Sequence, residues 1–307
     1  MELHSFPNPS SRLSPMPLPV TFTLDFEDLR TSPTQESRVE FATSLVLDRL
    51  AEKNIRGTIF CVADVAAREP RLMRRITELG HEVAVHGFQH TPIDLLGEQR
   101  FHEQTIRAKE MLEDLTGQEI LGFRAPQFSI VPETSWALDV LADIGFTYSS
   151  SILPVATLMY GWPGTPMTPF RWPQGLVEIP CPVVSFFGMH IPYLGGAYMR
   201  VLPSFVRRRG VRNAPAGSVL WTYCHPWEFD PDEEFYVYEH GGWLVSRIGW
   251  INRAGMLRRV EDSLRSAAGP PLSEVVASLG DLPEFAPDAN PERRAALQGR
   301  LRRRADV

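Results

Sequence analysis

At 307 residues the chain is long enough for one large barrel or two ordinary domains. Hydrophobic residues make up 43% and charged residues 22%, which excludes wholesale disorder and a membrane channel. A formal net charge of −6 gives nucleic acid no footing as a partner, and the three cysteines, Cys61, Cys181 and Cys224, form no CxxC pair, so reduced thiols are expected.

Residues 1–18 are rich in Pro and Ser and read as a flexible arm. They lack a basic region followed by an apolar core, and no apolar run reaches bilayer-spanning length. We therefore expect no secretory signal, no transmembrane segment and a cytoplasmic protein, free or peripheral to a membrane. From Pro19, Val20, Phe22, Leu24 and Phe26 alternate with Thr21, Thr23, Asp25 and Glu27, the pattern of a strand whose polar face ends in two acids. A helical stretch follows from about Arg38 to Lys53, then a β-rich run over 57–62 and a helix with Leu72, Ile76 and Leu79 that closes at Gly80. Glu82-Val83-Ala84-Val85 leads straight into His86. Helices over 98–116 and 133–144 and strands over 120–123 and 146–150 continue the alternation.

Residues 152–215 break that rhythm with many Pro and Gly and read as an insertion over one end of the sheet. A strand over 218–223 then runs into Cys224-His225-Pro226-Trp227, and a helix is predicted around 255–266. The resulting division is an arm (1–18), a barrel (19–267) and a mobile, Pro-rich and basic tail (268–307) that ends in Arg300, Arg302, Arg303 and Arg304. Strand–helix alternation implies a parallel sheet with helices outside, hence an α/β wound sheet or barrel. Neither GxGxxG nor GxxxxGK[ST] follows the first strand, which counts against dinucleotide and P-loop chemistry.

Functional groups of barrels gather at the C-terminal ends of strands, and four such ends here carry polar groups suited to a hydrolase. Asp25, Glu27 and Asp28 end the first strand, and two acids that close need a cation or an arginine beside them. His86 and His90 end the third; four apart on one helical turn, both imidazoles reach one metal, and a carboxylate from Glu27 or Asp28 completes a set of three. Such a pair alone is a weak signal; joined to the acids it becomes a metal site. Arg124 follows the fourth strand, where a guanidinium can orient a carboxylate base. His225 ends the strand over 218–223, a natural place for a proton donor, with Pro226 and Trp227 behind it.

These runs resemble the polysaccharide deacetylases of the NodB-homology class (carbohydrate esterase family 4), and more narrowly the subgroup found in exopolysaccharide clusters linked to exosortase sorting. The matching segments are Leu24-Asp25-Phe26-Glu27-Asp28, Gly80 to His90, Gly122 to Ile130, Tyr148 to Ile152 and Cys224-His225-Pro226-Trp227-Glu228, in the family's order across residues 19–260. The resemblance implies a distorted (β/α)7-type barrel with a divalent metal at its mouth, zinc first and cobalt or nickel as alternatives. It also implies hydrolysis of the acetyl group from N-acetylated sugars of a polysaccharide or its precursor, and so a carbohydrate substrate. Asp25 resembles the base and Glu27 the metal carboxylate; an ungapped reading shifts these roles to Glu27 and Asp28. Strand parity, which puts Asp25 and Glu27 on one face, favours the first. Arg124 would orient the base, His225 would protonate the leaving amine, and the Gln127 backbone N–H would help bind the oxyanion. Trp227 would contact substrate, and Arg200, in a segment resembling the subgroup's glycine-rich run, would either contact substrate or belong to a simple structural turn. Ser149 stands where relatives often carry aspartate, and Cys224 replaces an aliphatic residue. The alternatives are an amidohydrolase of this fold acting on a formamido-sugar or ureide without metal, and a non-catalytic glycan-binding barrel.

Overall fold

In the computed structural model, which describes residues 18–30, 37–157, 160–238, 242–265 and 267–287, strands and helices alternate through the first half of the chain. Strand β1 (Val20–Phe26) precedes helix α1 (Val39–Ala51), and β2 (Gly57–Cys61) precedes α2 (Ala63–Arg68) and α3 (Pro70–Glu78). Then come β3 (Glu82–Val85), α4 (Ile93–Leu96), α5 (Glu98–Thr116), β4 (Gly122–Phe123), α6 (Ala137–Ile144) and β5 (Tyr148–Ser149). The second half adds β6 (Phe170–Arg171), β7 (Val177–Glu178), β8 (Val183–Phe186), β9 (Met189–Pro192), α7 (Gly196–Val201), α8 (Ser204–Arg212) and β10 (Leu220–Trp221). Helices α9 (Gly242–Trp250) and α10 (Met256–Leu264), strand β11 (Ala268–Gly269) and helix α11 (Leu272–Ser278) follow.

Seven strands pair parallel in the order β10-β1-β2-β3-β4-β5-β7, the curled sheet of a distorted (β/α)7 barrel. β6 extends it antiparallel and β11 lies beside β1. The period-2 alternation sorts each strand between two cores. Phe22, Leu24, Phe26, Ile59, Cys61, Val83 and Val85 pack outward against helix residues such as Leu47, Met73, Phe101 and Leu112. Phe60, Ala84, Tyr148, Trp221 and Tyr223 fill the inside, so the barrel is a packed core and its chemistry is confined to one end. Gly122 permits this filling, because a Cβ there would lie 2.2 Å from the Tyr148 ring. Among the described residues no helix is long and apolar enough to cross a membrane.

Two boundaries differ from expectation. The span 152–215 is not wholly an insertion, since β7 is the seventh parallel strand. The sequence hides it because a two-residue strand between Pro- and Gly-rich turns shows no periodicity. The tail expected from residue 268 is, through residue 287, part of the fold. β11 pairs with β1, Leu272 is fully buried in the interior cluster, and its N–H donates to Thr58 Oγ1 (2.8 Å). Glu82 accepts from Thr58, Tyr148 and Ser273, which ties α11 to the N-terminal end of the barrel. The arm (residues 1–17), the turn at 31–36 and the arginine-rich end (288–307) lie outside the described residues.

Candidate active site

Asp25 faces the barrel interior near the end of β1, in register with Phe60 on β2. Arg124, the residue after β4, is fully buried and its Nη1 donates to Asp25 Oδ1 (2.5 Å) and Thr23 Oγ1 (2.9 Å). Its remaining nitrogens donate to the carbonyl and hydroxyl of Ser150. Its guanidinium lies between the rings of Phe60 (3.8 Å) and Trp221 (4.2 Å), a cation–π sandwich that fixes the plane of the fork. Burial pushes the Asp25 carboxyl up, but Arg124, His86 and His225 outweigh it and hold it below the ordinary carboxylate range. One Asp25 oxygen is thus pinned; the other, Oδ2, lies 4.0 Å from both His86 Nε2 and His225 Nε2.

His86 leaves the end of β3 with Nδ1 2.9 Å from the Arg124 carbonyl oxygen. That contact selects the Nδ1–H tautomer and leaves the Nε2 lone pair facing the mouth. Burial lowers its pKa to about 4, so the imidazole is neutral at pH 7. His90 comes within reach by a route other than the expected helical turn. The segment is a loop with Gly87 at φ 82° and His90 at φ 56°, and Ala63 and Asp64 N–H groups hold its carbonyls. A side chain at Gly87 would crowd Pro126 (3.1 Å from a Cβ) in a backbone conformation that favours glycine. The His86 and His90 rings end with centroids 5.0 Å apart.

Glu27 completes this group: one ligand atom from each of Glu27, His86 and His90 lies within 4.8 Å of the others. Glu27 Oε2 is buried, accepts no hydrogen bond, and lies against His90 Nε2. A buried carboxylate oxygen gathered with two imidazole nitrogens is a donor set that fits a divalent cation. Asp28, the other expected metal carboxylate, does not join them. Its oxygens accept from the Arg30 N–H (2.9 Å) and the Ser37 hydroxyl (2.7 Å), so it organises the loop after β1 instead.

His225 follows β10 with Nε2 3.6 Å from Glu27 Oε1, and the Trp227 ring stacks on it at 4.5 Å, 15° from parallel. Its Nδ1 lies 3.0 Å from Glu228 Oε2, which also accepts the His225 N–H (3.0 Å). Burial lowers the His225 pKa, but Glu228, Glu27 and Asp25 together raise it to about 9. Arg200 requires a correction. Rather than reaching substrate it is buried, donating to Glu228 Oε1 (2.8 Å) and to the carbonyls of Ile248, Gly249 and Ile251. Buried and held by Glu228 and the carbonyls at the end of α9, the guanidinium does not present itself to a glycan. Gln127 adopts φ 57°, and its N–H donates to no group among the described residues. Glu228 escaped the sequence reading. Its signal was the capping-box spacing His225-Pro226-Trp227-Glu228, with proline at the first helical position and an acid at the third. Ser149, in the place of an aspartate, donates to Ser151, which orients the Ala125 N–H.

The polysaccharide deacetylase description matches residues 21–149, and a domain of unknown function, DUF3473, matches residues 150–276. Residues 21–149 are thus similar to the polysaccharide deacetylase family. A peptidoglycan-N-acetylglucosamine deacetylase of Bacillus cereus is 28% identical over 98 residues, 32% of this chain and 36% of that protein. A chitooligosaccharide deacetylase of Sinorhizobium fredii is 30% identical over 103 residues, 32% of this chain and 44% of that one. The chain thus spans less than half the length of these curated relatives. The crystal structure of a putative polysaccharide deacetylase from Mycobacterium smegmatis superposes with a TM-score of 0.55 at 19% identity, covering 89% of this chain and 98% of that one. Puue allantoinase gives a TM-score of 0.55 at 17% identity, covering 84% and 88%. Both show the shared fold.

Proposed function

We propose that this protein hydrolyses the acetyl group from N-acetylated sugars of a polysaccharide or its precursor, using a divalent metal held by Glu27, His86 and His90. The observation that carries this reading is the convergence of that ligand set with Asp25 Oδ2 and His225 Nε2 at one mouth. A bound cation would supply Lewis acidity, favouring both a water nucleophile and a polarised acetyl carbonyl. Asp25, ionised and turned by Arg124 so that Oδ2 is free, accepts the proton of the attacking water. His225, cationic at neutral pH, donates a proton to the departing sugar nitrogen, and Glu228 holds the ring for that step. The unpaired Gln127 N–H contributes a donor for the developing oxyanion, and Trp227 offers an apolar wall to the sugar. Base and acid therefore stand in their working protonation states before substrate arrives.

The gathering of Glu27 with His86 and His90 supports the metal-dependent reading over a metal-independent amidohydrolase, and the complete set of base, acid and ligands argues against a non-catalytic barrel. Acetate release from a panel of N-acetylated oligosaccharides tests the proposal, with His86→Ala as control. Release by wild type that is abolished in the variant is expected; equal rates would overturn the mechanism, and activity that survives chelators would favour the metal-free alternative.

A further inference from the structure

From Ile179 to Trp227 the chain carries five of its 31 basic residues and none of its 37 acidic ones, although the whole protein is acidic. Two exposed features stand within this span. Helix α8 buries Val206, Arg207 and Gly210, and its other side exposes Phe205, Arg208, Arg209 and Arg212, which recur at helical spacing along one face. Phe205 is 64% exposed. Arg207 is spent inside, donating to the Met199 and Leu202 carbonyls, whereas Arg208, Arg209 and Arg212 form no ion pair among the described residues.

The β8–β9 hairpin packs beside α8, with Val184, Val206 and Val211 sharing one core. Its two-residue turn is Phe187-Gly188, with φ values of 49° and 79°. Asn, Asp or Gly fills such a turn with little strain; a phenylalanine does not. Phe187 is nonetheless 88% exposed at the tip, and Met189 beside it is also exposed. Phe187 meets the neighbouring Phe186 ring edge-on at 4.5 Å and is otherwise left to solvent.

We propose that the hairpin tip and the exposed side of α8 dock on an anionic lipid bilayer, Phe187 and Phe205 entering the headgroup–acyl boundary and Arg208, Arg209 and Arg212 pairing with lipid phosphates. An exposed apolar tip on a hairpin packed beside a helix that exposes arginines, in a segment without acids, is the pattern of interfacial membrane binding rather than of a flat protein interface. β8 leaves the C-terminal side of β7, the end that bears His86 and His225. The chain returns through Gly196, whose N–H donates to the Tyr223 carbonyl two residues before His225. A docked barrel would hold its mouth next to the headgroup layer. This inference is independent of the reaction, since its test reads binding alone.

The test is flotation of the whole protein with vesicles of phosphatidylcholine, alone or with about 30% phosphatidylglycerol, at low and high salt. Binding to the anionic vesicles that weakens with salt is expected. Each arginine near such a surface contributes about fivefold, so R208E/R209E/R212E should lower partitioning by about a hundredfold or more. Phe187→Asn suits the turn and so keeps the fold, and should lower binding at least about fivefold with no loss of Tm. Absence of binding to the anionic vesicles, or unchanged binding by both variants, would overturn the proposal. So would retention by an acidic polysaccharide without retention by vesicles.

Discussion

The chain Arg200–Glu228–His225 invites a substitution whose effect depends on the leaving group. Glu228→Gln keeps the shape of the side chain and an acceptor oxygen for Arg200 or His225, but removes the charge that faces both. A hydrogen bond to a charged partner is worth about 1.5–3 kcal/mol, so without it His225 holds its proton about 10- to 100-fold less tightly, and above neutral pH kcat/KM on an N-acetylated sugar should fall by up to that factor. An amine must be protonated to depart; a 4-nitrophenolate need not be. Rates measured on an N-acetylated oligosaccharide and on 4-nitrophenyl acetate should therefore separate, the first falling and the second changing less than about threefold. A downfield imidazole N–H resonance assigned to His225 should be present in wild type and absent in the variant. Equal falls on both substrates with an unaltered resonance would refute the role given to Glu228.

Arg124→Met strands Asp25 without its partner and should destabilise the fold by about 3–5 kcal/mol in urea denaturation, while adding Asp25→Asn should recover part of that loss. Leu272→Ala should cost about 2–4 kcal/mol if the segment after residue 268 belongs to the barrel, and nothing measurable if it were a free tail. His81 is buried, accepts the Gly57 N–H at Nδ1, and has its pKa lowered to about 4, chiefly by burial. Between pH 6.5 and 4 the unfolded chain binds the extra proton and the folded one does not. His81 thus contributes stability that is present above pH 6.5 and lost as pH falls toward 4, up to about 3 kcal/mol. His81→Gln should flatten the dependence of unfolding free energy on pH across that window; an unchanged slope would contradict this.

Strands β1 to β3 and helix α5 were legible because their apolar residues recur with period 2 or 3.6 over enough length to register. β7 and β11, two residues each, have no period to read and exist because neighbouring strands offer them hydrogen bonds. The same limit applies within the site. Strand parity put Asp25 and Glu27 on one face. The rings of His86 and His90 do come together, but left-handed residues in a loop, not a helical turn, bring them there. Arg200 misled because an arginine in a glycine-rich segment looks available, and only the folded chain shows that Glu228 and the end of α9 consume it.

The ligand set Glu27, His86 and His90 can be read from metal content by elemental analysis. About one divalent metal per chain is expected in wild type and in Asp28→Asn, with loss of about tenfold or more in Glu27→Gln. Retention of metal by Glu27→Gln together with its loss from Asp28→Asn would contradict that ligand set.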